Sequence, residues 1–134
     1  PSFTFHTLVR GLDGSEKMAK REALSYFNLD EDEESIIYKV KNAFTGGRET
    51  AELQRKLGGR PEICPIYDLR RFFFTRDDRK LQSVHNACRS GELLCGEHKQ
   101  QILEEILAFR RDHLGKKGQS LSLAQKIVEE TSQP

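Results

Sequence analysis

Ile66-Tyr67-Asp68-Leu69-Arg70-Arg71-Phe72-Phe73-Phe74-Thr75-Arg76-Asp77-Asp78-Arg79-Lys80-Leu81 is an aromatic run that ends in a charged turn. It decides the fold class, because the pattern on both sides of the turn is helical. Pro65 suits the first helical position, where its missing N–H costs nothing, and Ile66, Leu69, Phe72 and Phe73 then make one buried stripe. Arg76-Asp77-Asp78 ends that helix. Asp77 or Asp78 caps the next one, which carries Leu81, Val84, His85 and Cys88 on one face and stops at Gly91. Around this block stand Cys64, Cys88, Cys95 and His98. The last three read Cys-x6-Cys-x2-His, a spacing suited to metal ligands.

Working outward, Asp32 is an N-cap, Glu33 and Glu34 fill the positive first turn, and Ile36, Ile37, Val40, Ala43 and Phe44 follow at helical spacing until Gly46-Gly47. A short helix carrying Leu53 and Leu57 runs from about Thr50 to Gly58-Gly59. Downstream, a long helix begins near Cys95, with Ile102, Leu103, Ile106, Leu107, Phe109 and Leu114 in its stripe, and Gly115 terminates it. Lys116-Lys117-Gly118-Gln119 reads as a basic linker. A final short helix follows, capped by Ser120 or Ser122 and carrying Leu121, Leu123, Ile127 and Val128, and the tail from Thr131 to Pro134 frays.

At the other end, Phe3, Phe5 and Thr7 alternate with Ser2, Thr4 and His6, and Leu8-Val9 lead into Gly11-Leu12-Asp13-Gly14. This predicts one strand and a tight turn. No second strand is evident to pair with it. Ser15-Glu16-Lys17-Met18-Ala19-Lys20-Arg21 is a polar, lysine-rich loop that by itself reads as a solvated turn. The expected architecture is mainly α: one short strand and a loop leading into a bundle of five or six helices.

A chain of 134 residues, 36% apolar and 32% charged, can bury one modest core. No apolar run approaches the roughly 18 residues that span a bilayer. The start lacks a basic n-region, an apolar h-region and an initiator methionine, which reads as the cut edge of something larger. Three cysteines cannot all pair within one chain, so thiols or metal ligation are expected. A net charge of +1 does not advertise nucleic acid, and binding of that kind must rest on local clustering.

Three glycine-marked blocks, Ala43-Phe44-Thr45-Gly46-Gly47-Arg48-Glu49-Thr50, Leu57-Gly58-Gly59 and Ser90-Gly91-Glu92-Leu93-Leu94, resemble in order and spacing the C-terminal part of archaeal and eukaryotic tryptophanyl-tRNA synthetases. Lys17-Met18-Ala19-Lys20-Arg21 stands at the place of the family's Lys-Met-Ser-Lys-Ser signature, with Ala19 and Arg21 departing from its serines. The resemblance covers nearly the whole chain. It implies a catalytic-domain remnant with the signature loop at 1–31 and a helical anticodon-binding domain at 32–134. It also implies that Lys17, Met18 and Lys20 meet ATP and its magnesium, the two lysines stabilising charge that builds on the pyrophosphate. Lysine suits that task, as a compact, mobile cation.

By position in the family pattern, Arg48 and Asp78 match residues at the anticodon of tryptophan tRNA. Aspartate can accept from a cytosine amino group, arginine suits phosphates and base edges, and Phe74 is the exposed candidate for stacking. The plain alternatives are a capping role for Arg48 and Asp78 and a core role for Phe74; Phe72 and Phe73 are expected in the core. Some family members hold an iron-sulfur cluster through Cys-x22-Cys-x6-Cys-x2-Cys, and Cys64-x23-Cys88-x6-Cys95-x2-His98 resembles it with one inserted residue and a histidine. Zinc, a cluster and a metal-free reading with buried cysteines and a surface histidine all stay open.

The resemblance implies a cytoplasmic ATP-dependent ligase whose partners are tryptophan tRNA and the remainder of the synthetase, with a homodimer as the intact form and no part for membrane or DNA. The chain alone is expected to be inactive, since the tryptophan pocket and most of the nucleotide fold are missing. The alternative from another class is a free-standing tRNA-binding or metal-binding helical module, which would have no use for half an ATP site.

Overall fold

The computed structural model describes residues 2–4 and 6–131. In chain order it comprises α1 (Glu33–Asn42), α2 (Ala51–Leu57), a 3-10 turn (Pro61–Ile63), α3 (Pro65–Leu69) continuing into one π-helical turn (Arg70–Phe74), α4 (Asp78–Ser90) and α5 (Cys95–Thr131). The mainly helical expectation holds. Among the described residues there is no strand, so the expected N-terminal strand is corrected; Phe5, within it, lies outside the described residues. The physical reason is pairing: a ladder needs a second strand, and the helices beside this segment offer none. Ser132, Gln133 and Pro134 of the tail expected to fray also lie outside them. Among the described residues no helix is long and apolar enough to cross a membrane.

Residues 11–25 instead fold back on themselves. The Met18 N–H donates to the Val9 carbonyl at 2.8 Å, the Leu12 N–H to the Ser25 carbonyl at 2.8 Å, and the Ala19 N–H to Ser25 Oγ at 3.0 Å. This turn docks through Leu12, which is wholly buried and whose carbonyl accepts from the Phe44 N–H at 2.7 Å. The core it joins is formed by Ile36 and Val40 of α1, Ile66 and Leu69 of α3, and Ile102 and Ile106 of α5. Helical periodicity predicted these six side chains because local spacing and burial agree there.

At α1, Asp32 occupies the N-cap position without a side-chain cap bond. Glu31 ties this end down, accepting from the Asn28 N–H at 3.1 Å and from Lys39 Nζ at 2.7 Å. Burial raises the Glu31 pKa, but the Lys39, Asn28 and Ser35 donors outweigh it and the net shift is downward. The helix ends at Asn42, ahead of Gly46-Gly47, so these glycines are not its stop. Gly46 serves a close backbone approach: a Cβ there would overlap the Arg60 carbonyl, and the Arg60 N–H donates to the Gly46 carbonyl at 2.7 Å. In α2 the Thr50 hydroxyl caps the Leu53 N–H at 3.1 Å, yet Leu53 and Leu57 face solvent and Gln54 is the buried residue.

Two larger corrections concern helix phase and helix length. After Leu69 the backbone widens to an i to i+5 pattern, closed where the Thr75 N–H donates to the Arg70 carbonyl at 2.9 Å. The wide turn carries Phe74 onto the core side, where it meets Phe109 edge-on at 6.2 Å, and leaves Phe72 at 36% and Phe73 at 60% exposure. The expected core aromatics are therefore outside, and the expected exposed one is half-buried. The second correction is that α5 passes through Gly115 and the expected linker without a break. Neither Gly115 nor Gly118 meets anything within 4 Å that would demand another conformation, so their cost of about 1 kcal/mol each against alanine does not end the helix. The segment expected to be a separate helix is its solvent-exposed distal part.

Candidate nucleic-acid interface

The capping choice at α4 shapes the first part of the site. The Asp77 carboxylate accepts from the N–H groups of Arg79 at 2.9 Å and Lys80 at 3.4 Å. Asp78 is thereby relieved of capping and stands exposed on the first turn. It lines a shallow groove with Arg79, Gln82 and Ser83. Ser83 is shared with a hollow of about 710 Å³, whose wall also includes Arg70, Phe74, Arg76 and Lys80. Phe74 is thus on this wall while its ring packs inward, and Phe73 beside it is the more exposed aromatic surface.

Arg70 is the residue that pattern reading missed. Only 7% exposed, it donates from Nε to His98 Nε2 at 2.9 Å and from Nη1 to Glu105 Oε1 at 2.9 Å. Its Nη2 is buried without a partner. Burial first, and then the Arg70 charge, push the His98 pKa down to about 4, so His98 is neutral near pH 7 and does not add to the charge of Arg70. The one available signal was an arginine interrupting an apolar stripe. Its partners are 28 and 35 residues away, beyond the reach of local periodicity.

Arg48 is half-buried and donates from Nε to the Gly58 carbonyl at 2.9 Å. Gly58, with a φ of +72°, lies against the backbone of Arg89 at the far end of α4, where a Cβ would overlap the Arg89 carbonyl. Arg48 and Asp78 therefore belong to opposite ends of that helix, separated by about 16 Å at 1.5 Å per residue. They do not share one pocket. In the N-terminal loop, Lys17 and Lys20 are exposed, whereas Met18 is half-buried and packs on the core. The Lys17 carbonyl accepts from the Ser15 hydroxyl at 3.2 Å, and Ser25 Oγ serves the Ala19 N–H, so neighbouring serines organise a loop whose own serine positions are Ala19 and Arg21.

Cys64, Cys88, Cys95 and His98 do converge on one cavity, of only about 10 Å³, together with Thr45 and Gly46. Among the described residues no group of three or more His, Cys, Asp or Glu is arranged to hold a metal ion. His98 Nε2 accepts from Arg70, so the neutral ring carries its proton on Nδ1 and neither nitrogen offers a lone pair. The Cys95 thiol donates to Gln54 Oε1 at 3.3 Å. Burial raises the Cys64 pKa and lifts that of Cys88 to about 11, with Cys64 and Cys95 adding to the latter. The zinc or iron-sulfur expectation finds no support in this arrangement, and the surface placement of His98 is corrected, since its side chain is buried.

With this geometry in place, residues 1–110 match the family described as tRNA synthetases class I (W and Y). The chain is 38% identical over 129 residues to the tryptophan–tRNA ligase of Methanocaldococcus jannaschii, covering 96% of this chain and 35% of that protein. Against the tryptophan–tRNA ligase of Pyrobaculum calidifontis it is 40% identical over 113 residues, covering 84% of this chain and 30% of that one. Among solved structures, the tryptophanyl-tRNA synthetase of Aeropyrum pernix K1 superposes with a TM-score of 0.85 at 37% identity, over 91% of this chain and 33% of that chain. The chain spans about a third of the length of the relatives it matches. A match over 110 residues, on a helical body shared with a synthetase structure, places this chain in the class I tRNA synthetase family (W and Y), among relatives that are tryptophan–tRNA ligases.

Proposed function

We propose that this chain is the C-terminal segment of a tryptophan–tRNA ligase, contributing the ATP-facing loop from residues 1–31 and anticodon recognition from the helical body at 32–134. The observation that supports it most is Asp78: its neighbour Asp77 does the capping, which leaves an exposed carboxylate in a groove that shares Ser83 with a cationic, aromatic hollow. A carboxylate so placed can accept from a cytosine amino group and reject bases that lack one. Phe74 offers part of the hollow's wall to an unstacked base, and Arg48 contacts the RNA toward the other end of α4. Lys17 and Lys20, both exposed, follow the phosphate charge of ATP and its magnesium while Met18 anchors the loop. The remainder of the synthetase supplies the tryptophan pocket and the homodimer contact, and this segment alone does not charge tRNA.

The test is binding of the anticodon stem-loop of tryptophan tRNA to the chain, compared with a stem-loop whose first anticodon base is changed. Asp78→Ala narrows the preference for the first by about 1–3 kcal/mol, whereas Arg48→Ala weakens both loops alike. Equal loss for both loops with Asp78→Ala, or no binding of either by the unmodified chain, overturns the reading.

A further inference from the structure

We infer that the hollow between the π-helical turn and the first turn of α4 is an oxyanion site that holds a phosphodiester group of bound single-stranded RNA, with Arg70, Arg76 and Lys80 as its donors. This deepens the anticodon reading and rests on it for the identity of the RNA.

The first ground is Arg70. A guanidinium is permanently charged and carries five N–H donors in a fixed fork. Here Nε and Nη1 are satisfied by His98 and Glu105, while Nη2 is buried and unpartnered on a residue 7% exposed. A buried donor without an acceptor is costly, and such exceptions call for a missing partner. The second ground is charge. His98 is neutral, so among the described residues Glu105 is the one carboxylate bonded to Arg70, and its side chain is 38% exposed. Arg76 and Lys80 add two exposed cations to the same wall.

The two acids on that wall are already engaged, Glu105 by Arg70 and Asp77 by the α4 N–H groups. Three cations against two engaged carboxylates leave the hollow net positive, at the N-terminal end of a 13-residue helix whose dipole adds to it. At about 710 Å³ the space is of the size of ordinary small-ligand sites, room for a nucleotide. A phosphodiester fits best, since it brings one negative charge and two acceptor oxygens, and the exposed Phe73 and the wall residue Phe74 can flank the attached bases.

Two measurements on the full chain test this. In the first, Arg70 side-chain N–H signals are followed by NMR while a single-stranded trinucleotide, and separately inorganic phosphate, is added. Saturable shifts of Arg70 with the trinucleotide, stronger than with phosphate, support the site. Absence of Arg70 shifts with both overturns it, and shifts with inorganic phosphate alone overturn the phosphodiester assignment. In the second, stem-loop binding is measured against salt for Arg76→Ala and Lys80→Ala, whose exposed side chains can be removed without touching the fold. Each variant loses affinity several-fold for matched and mismatched loops alike and lowers the slope of log K against log salt by about 0.7. Unchanged affinity and slope in both variants overturn the proposal. If the unmodified chain fails to bind the stem-loop while the trinucleotide still shifts Arg70, the anticodon reading falls and the oxyanion site stands.

Discussion

The cysteine-lined cavity and the cationic hollow lie on either side of the hydrogen bond between Arg70 and His98, and their characters are opposite. The first draws on residues whose spacing in sequence advertises ligand binding, yet it is only about 10 Å³, at the lower limit for a single water. The second corresponds to no motif, but it is open, net positive and lined by Arg70, whose buried Nη2 has no partner. Spacing identifies which residues can meet, while the hydrogen bonds they make decide whether they remain available. His98 is the case in point: its acceptor nitrogen is committed to Arg70, on the hollow side of the pair.

The strongest way to break this comparison is to force the closed cavity open. Gly46 lines it and packs against the Arg60 backbone, so Gly46→Ala should destabilise the protein by about 3 kcal/mol in denaturant titration. A cost under about 0.5 kcal/mol would mean that this side is loosely packed and that its closure is not a property of the fold. The next effect isolates the shared bond. The His98 pKa is depressed from 6.5 to about 4, so the unfolded chain binds the additional proton between those values. This contribution is complete above pH 6.5 and falls as pH drops toward 4, by about 2 kcal/mol between pH 6.5 and 5. His98→Gln removes the titration and should flatten that part of the stability profile; an unaltered profile would detach His98 from the comparison.

The smallest expected effect is the sharpest discriminator. Zinc added to the reduced protein at neutral pH should leave the denaturation midpoint unchanged, because binding to the native state alone would raise it. A stoichiometric rise abolished by His98→Gln would show that the Arg70 bond yields to metal, and the two cavities would then differ in occupancy rather than in kind.

Much of the fold was legible where the determinants are local. The helix start near Thr50, the Pro65 start, the Gly91 stop and the apolar spacing of Ile36, Val40, Ile102 and Ile106 each act within a turn or two of chain, and each appears in the structure. Asp77 and Asp78 were both legible as caps, but their roles were divided by backbone geometry. Phe72 and Phe73 depart from the expected core stripe because 3.6-residue periodicity assumes an unbroken α-helix, and one π turn shifts every later side chain around the axis. α5 outruns the stop that Gly115 predicts because glycine ends a helix only where the chain has reason to turn. The N-terminal segment reads as a strand because alternation records a preference, and a strand also requires a partner.

By itself, then, the sequence determined a helical body, its caps and most of its core, and it carried the glycine-marked blocks that mark its family. These follow from side-chain volume, backbone freedom and short-range hydrogen bonding, which are properties of neighbours along the chain. The tertiary structure alone decided that Arg70 reaches His98 and Glu105, that Nη2 is left over, and that three cysteines and His98 line one small cavity. Those outcomes depend on how α3 packs against α5, across separations of 28 and 35 residues, and on which of several possible partners each buried polar group finds first in space.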